Sequence, residues 1–77
     1  MSTETLTKTE AAYLRERILF ATNTRAAAVA LEQGDTSAHF ALHRAAGCAK
    51  FGIGFFGRTL TKGRRAELTK MAAKAAA

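Results

Sequence analysis

Alanine accounts for 18 of the 77 residues of this chain, and proline is absent. Alanine has the highest intrinsic helix propensity, whereas proline is the strongest helix breaker. Valine and isoleucine, which favour strands, are few. A chain of this length has room for one small domain only. We therefore expect an all-α fold in which a single small helical domain comprises residues 1–77.

Capping signals mark the first helix and its end. Thr7 and Glu10 form a T-x-x-E capping box, which satisfies free amide groups at the start of a helix. The glycine–aspartate pair at residues 34–35 is typical of a helix end followed by the N-cap of another helix. These signals predict a frayed N-terminus over residues 1–7 and a first helix over residues 8–33.

A second helical stripe follows, with apolar residues three or four apart over residues 38–60. It passes through the three glycines of residues 52–57, and this leaves two alternatives open. Either one helix over residues 36–61 tolerates the glycines at about 1 kcal/mol each, or the helix ends near Lys50 and a bend follows. The unbroken period favours the single helix.

The chain direction follows from the shortness of the turn at residues 34–35, which permits only antiparallel packing of the first two helices. Gly63 then separates helix 2 from a short third helix over residues 64–76. The predicted architecture is an antiparallel helical hairpin plus a short C-terminal helix. Two such hairpins could also associate as a dimer to form a four-helix bundle.

Helix 2 has a second apolar side, opposite its alanine and leucine stripe. This side carries three phenylalanines flanked by two arginines: Phe40, Phe51, Phe55, Arg44 and Arg58. In one reading, the C-terminal helix folds back and covers the phenylalanines. In the other, they form a protein interface, because aromatic residues with arginine at the edge are typical of interfaces. A homodimer, a larger protein partner, or both are then expected.

The single cysteine, Cys48, cannot form an internal disulfide, which fits a reducing compartment and leaves association as a source of stability. We read its side chain as a small buried apolar group. The first ten residues lack the apolar run of a signal peptide. The longest apolar stretch, residues 45–57, is shorter than the roughly 20 residues that span a membrane. We expect a soluble, cytoplasmic protein.

The net positive charge of the chain comes from its second half. The net charge is +6, and residues 1–34 hold four basic and four acidic residues, so the whole excess lies in residues 35–77. A basic cluster suits contacts with phosphates, although it also serves simply as a solvated surface. The alternative function is therefore a nucleic-acid-binding protein that uses Arg58, Lys62, Arg64, Arg65, Lys70 and Lys74. Attachment to an anionic membrane surface is a weaker third reading.

Patterns that resemble catalytic or metal-binding motifs lack their context. Residues 52–57 match G-x-G-x-x-G, but no strand precedes them. His39 and His43 share a helix face without the glutamate of a metalloprotease helix. No nucleophile–base arrangement or carboxylate pair is evident. We therefore expect no catalytic residues, cofactor or metal, and we predict a non-enzymatic interaction module that binds protein through the aromatic side of helix 2.

Overall fold

The computed structural model describes residues 5–77, and every regular element in that range is helical. The three helices are α1 (Lys8–Glu32), α2 (Thr36–Gly57) and α3 (Lys62–Ala76). The all-α prediction is confirmed. Of the N-terminus that we expected to be frayed, residues 1–4 lie outside the described residues, and residues 5–7 precede α1 without regular structure.

The predicted capping box at the start of α1 is confirmed. The backbone N–H of Glu10 donates to Thr7 Oγ1 at 3.1 Å, and the backbone N–H of Thr7 donates to Glu10 Oε1 at 3.0 Å. At the other end, Gly34 adopts φ +77°, a left-handed conformation that glycine takes without strain. Asp35 then caps α2, because its Oδ1 accepts from the N–H of Ala38 at 3.0 Å. Local chemistry thus fixes the turn between the first two helices.

The single helix through the glycines is confirmed, but α2 ends at Gly57 and not at residue 61. The physical reason is the N-cap of the next helix: Thr61 Oγ1 accepts a hydrogen bond from the backbone N–H of Arg64 at 3.1 Å, so α3 starts directly after Thr61. Helix α3 therefore begins at Lys62, two residues before its predicted start at residue 64, and Gly63 lies inside its first turn. Helix α1 ends at Glu32, one residue before its predicted end.

Contacts along the chain give the helix directions. His39 contacts the carbonyl of Ala27, whereas Gly57 lies against Tyr13, so α2 runs antiparallel to α1 as predicted. Helix α3 returns along α1 in the parallel direction. Arg64 Nε pairs with Glu10 Oε2 at 2.7 Å near the start of α1. Further along, Arg25 Nη1 donates to the carbonyl of Ala76 at 2.8 Å.

The core is thin and made largely of methyl groups. Tyr13 and Leu68 are its two largest fully buried side chains. The remaining buried hydrophobic residues are all alanines: Ala27, Ala30, Ala46, Ala49, Ala72 and Ala76. Small side chains let the helix backbones approach closely, and little apolar area is buried in return.

Not every apolar residue of α1 and α2 is buried. Ala45 of α2 is exposed, whereas Ala46 and Ala49 are buried. Val29 and Leu31 of α1 are also exposed, because they lie on a side that neither α2 nor α3 covers. None of the helices in residues 5–77 combines the length and the apolar character needed to cross a bilayer.

Candidate functional site

Three of the four phenylalanines of α2 are exposed, and Phe56 is half-buried. Phe40, Phe51 and Phe55 are 63%, 80% and 58% exposed. Helix α3 packs against α1 and does not extend across this side of α2. The reading in which the C-terminal helix folds back over the phenylalanines is therefore wrong. We call these three residues, together with Arg44 and Arg58, the phenylalanine face.

The phenylalanine face extends along one side of α2, and a glycine lies on each side of Phe51. All of its residues except Phe55, together with two glycines, follow one another along the sequence in steps of four and three. This spacing places them along one side of a helix. In order, they are Phe40, Arg44, Gly47, Phe51, Gly54 and Arg58. A methyl group added at Gly47 or Gly54 would meet no neighbouring group within 4 Å. The backbone of a partner helix can therefore come close beside Phe51.

The rim of the phenylalanine face is positively charged. The guanidinium carbon of Arg58 lies 5.9 Å from the centre of the Phe55 ring, the geometry of a cation–π contact. Arg44 is exposed, and Lys50 lines a shallow cavity of about 290 Å³ beside Phe51 and Phe55. Residues 36–57 contain no aspartate or glutamate. The surface thus combines exposed aromatic rings with uncompensated positive charge.

The six basic residues of the alternative function are divided between the surface and the interior contacts. Arg58, Lys62, Lys70 and Lys74 are exposed, whereas Arg64 and Arg65 are half-buried. Arg64 pairs with Glu10 and lies 3.7 Å from Glu67 Oε1. Arg65 Nη1 donates to the carbonyl of Gly57 at 3.0 Å. Two of the six side chains therefore hold helices together.

The ion pair between Arg64 and Glu10 is largely shielded from water, since the two side chains are 19% and 15% exposed. The hydrogen bond from Arg64 is the main reason why the pKa of Glu10 is lowered, and the hydrogen bond from the backbone of Thr7 lowers it further. Glu10 therefore links the cap of α1 to the start of α3.

The histidine pair and the G-x-G-x-x-G segment both lie within α2. His39 Nδ1 lies 2.8 Å from the carbonyl oxygen of Ala27; because a carbonyl only accepts, Nδ1 carries the proton. The rings of His39 and His43 stack with their centres 5.9 Å apart. No group of three His, Cys, Asp or Glu residues suited to a metal ion occurs in the part of the chain that the structure describes.

Cys48 is exposed, so its assignment as a buried apolar group is wrong. It follows Gly47 beside the phenylalanine face, where α3 provides no cover. The prediction assumed that a small apolar side chain within an apolar helix is buried. Helix α2 packs chiefly against α1 alone, however, so much of its surface stays uncovered.

A second surface was not predicted from the sequence. Arg17, Arg58 and Arg65 line a groove of about 480 Å³ above the ring of Tyr13, and we call this surface the arginine groove. Its arginines come from α1, from the turn after α2 and from α3. Arg17 was missed because only the packing of all three helices brings it near the other two. No local sequence pattern predicts that these three arginines lie close together.

Comparisons with known proteins found no family model, no curated protein and no solved structure that matches the chain.

Proposed function

We propose that this chain is a non-enzymatic interaction module that binds a larger protein through the phenylalanine face of α2. The observation that carries the proposal is the exposure of Phe40, Phe51 and Phe55 along one side of a single helix. Burying a phenylalanine side chain contributes roughly 1.5–3 kcal/mol relative to leaving it in water. Contiguous exposed apolar surface of this kind is typical of interaction sites.

The charges on the face favour a partner of different sequence over a second copy of the chain. In a two-fold dimer through α2, the same surface of both copies meets, so the interface would contain Arg44, Lys50 and Arg58 from each copy. Residues 36–57 offer no carboxylate to compensate them. A partner with an apolar helix or groove edged by aspartate and glutamate complements both the rings and the rim. We therefore propose an acidic protein partner, with a homodimer as the competing outcome.

Affinity capture from the cells that produce the protein tests this function. The bait is the whole chain in three forms: wild type, Phe51→Ser and Leu31→Ser. Leu31 is an exposed apolar residue on α1, so Leu31→Ser removes similar surface outside the phenylalanine face. We expect wild type and Leu31→Ser to retain an acidic protein that Phe51→Ser loses, with or without nuclease. Equal retention by all three forms would argue against the proposal.

Sedimentation velocity on the pure protein at micromolar concentration separates the two kinds of partner. A monomer is expected, because like charges oppose self-pairing through α2. A dimer in wild type and Leu31→Ser that dissociates in Phe51→Ser would replace the acidic partner with a second copy. A dimer that persists in Phe51→Ser would mean that another surface mediates association.

Nucleic-acid binding is the second candidate function, and it is favoured by the exposure of Arg58, Lys62, Lys70 and Lys74 within a chain of net charge +6. On duplex DNA the logarithm of the affinity should fall with the logarithm of salt concentration, with a slope of about −0.9 for each phosphate contacted. Lys70→Gln combined with Lys74→Gln should reduce the magnitude of that slope by about 2. Absence of binding near 50 mM salt would exclude this function.

A further inference from the structure

Three arginines line the arginine groove, and no carboxylate residue is among its lining residues. We propose that it binds a dianionic phosphoryl group, either free phosphate or the terminal phosphate of a monoester. Arginine presents planar N–H donors that match phosphate oxygens and remains charged throughout the physiological pH range. This inference does not rest on the phenylalanine face, although Arg58 belongs to both surfaces.

Internal contacts hold two of the three arginines in place while leaving donors free. Arg17 Nε donates to the hydroxyl oxygen of Tyr13 at 3.1 Å, and its guanidinium carbon lies 5.4 Å from the centre of that ring. Arg65 uses Nη1 for the carbonyls of Gly57 and Leu60. A guanidinium has five N–H donors, so both side chains keep several for a ligand. Because the contacts fix the side chains beforehand, less conformational entropy is lost on binding.

The arginines of the groove differ from Arg64, which has a carboxylate partner. Arg64 is neutralised by Glu10 at 2.7 Å. Within the described part of the chain, by contrast, no carboxylate oxygen lies within 4 Å of a side-chain nitrogen of Arg17, Arg58 or Arg65. Like charges gathered around one concave surface repel one another, and an anion bound between them removes that repulsion.

Stabilisation of the fold explains only part of the groove. The bonds from Arg65 satisfy carbonyls at the C-terminal end of α2 and in the turn after it, which is a structural role that needs no ligand. That role does not explain why Arg17 from α1 and the exposed Arg58 line the same groove. A volume of about 480 Å³ also leaves room for a phosphoryl group together with a small substituent.

A titration of the ¹⁵N-labelled chain with inorganic phosphate, followed by NMR, tests the proposal. Sodium chloride at matched ionic strength is the reference. We expect saturable shifts of the backbone amides of Gly54, Gly57 and Thr69, which line the groove. Arg58→Gln should weaken binding by about tenfold or more, since a hydrogen bond to a charged group is lost. Arg44→Gln removes the same charge elsewhere on α2 and should leave the affinity within about twofold.

Arg17→Gln provides a second variant that lies outside the phenylalanine face, and it too should weaken binding by about tenfold or more. Phe51→Ser should leave phosphate binding unchanged, which separates failure of this proposal from failure of the interaction module. Phenyl phosphate distinguishes the two sources of the anion. Tighter binding than inorganic phosphate indicates a monoester, whereas equal binding indicates the free anion. Non-saturating shifts, or equal losses in Arg44→Gln and Arg58→Gln, would overturn the proposal.

Discussion

Gly57 is the last residue of α2, and a methyl group added there has no free space. The added Cβ would lie 2.8 Å from Cε1 of Tyr13 and 3.3 Å from Cδ of Arg65. Tyr13 is almost fully buried, and Arg17 donates a hydrogen bond to its hydroxyl group. The ring therefore cannot move aside without disturbing the core. Gly47 is the matched control, because an added Cβ there meets no neighbouring group within 4 Å.

The two substitutions should change stability in opposite directions. Overpacking at Gly57→Ala costs about 1–3 kcal/mol, and the gain in helix propensity is small at the last residue of a helix. A net loss of about 1–2 kcal/mol lowers the Tm of a domain of this size by about 4–16 °C. Gly47→Ala lies in the middle of α2 and should gain about 1 kcal/mol, which raises Tm by about 4–8 °C.

Thermal unfolding followed by circular dichroism measures both changes. Protein concentration is kept low and constant, since association would otherwise contribute to Tm. If Gly57→Ala stabilised the protein as much as Gly47→Ala, Tyr13 would not pack against the end of α2, and the predicted clash would be wrong. Equal destabilisation by both changes would mean that Gly47 is not exposed on a free helix surface.

Three further stability predictions follow from the fold. Leu68→Ala removes a fully buried side chain and should cost about 2–5 kcal/mol, whereas Leu31→Ala should change unfolding by less than about 0.5 kcal/mol in urea melts. Phe51→Ser should also change it by less than about 0.5 kcal/mol, and a larger loss would mean that the ring packs within the fold. The pKa of Glu10 is lowered from 4.5, chiefly by Arg64, so its stabilising contribution should be complete above about pH 5 and lost as the pH falls through the lowered value. Thermal melts should therefore show Glu10→Gln to be less stable than wild type near pH 6, with a difference that shrinks as the pH falls below about 4.5; a constant difference would contradict this origin.

The features that could be predicted from the sequence are those with local causes. The capping box of Thr7 and Glu10 and the turn at residues 34–35 depend on neighbouring residues, and both occur as predicted. The start of α3 was misplaced because Gly63 was read as a break, although Thr61 is itself a good N-cap residue. That signal was available in the sequence, two residues before the glycine.

Other features depend on contacts between distant parts of the chain. Two interactions align α3 with α1: the ion pair between Glu10 and Arg64, and the hydrogen bond from Arg25 to the carbonyl of Ala76. The partners are more than 50 residues apart, so no local sequence pattern predicts either interaction. Consequently, the periodicity of α2 revealed two apolar sides but not which side α3 would leave open. The arginine groove likewise exists only because the register of all three helices brings its residues together.

Photo-cross-linking at position 51 tests whether the phenylalanine face binds an acidic protein, because it captures molecules that contact this position in the cell. A benzoylphenylalanine side chain replaces Phe51 in one form of the protein and Leu31 in another, and both forms are irradiated in the cells that produce the chain. We expect a nuclease-resistant adduct with an acidic protein from position 51 and none from position 31. Adducts that form equally at both positions, or that disappear after nuclease treatment, would contradict it.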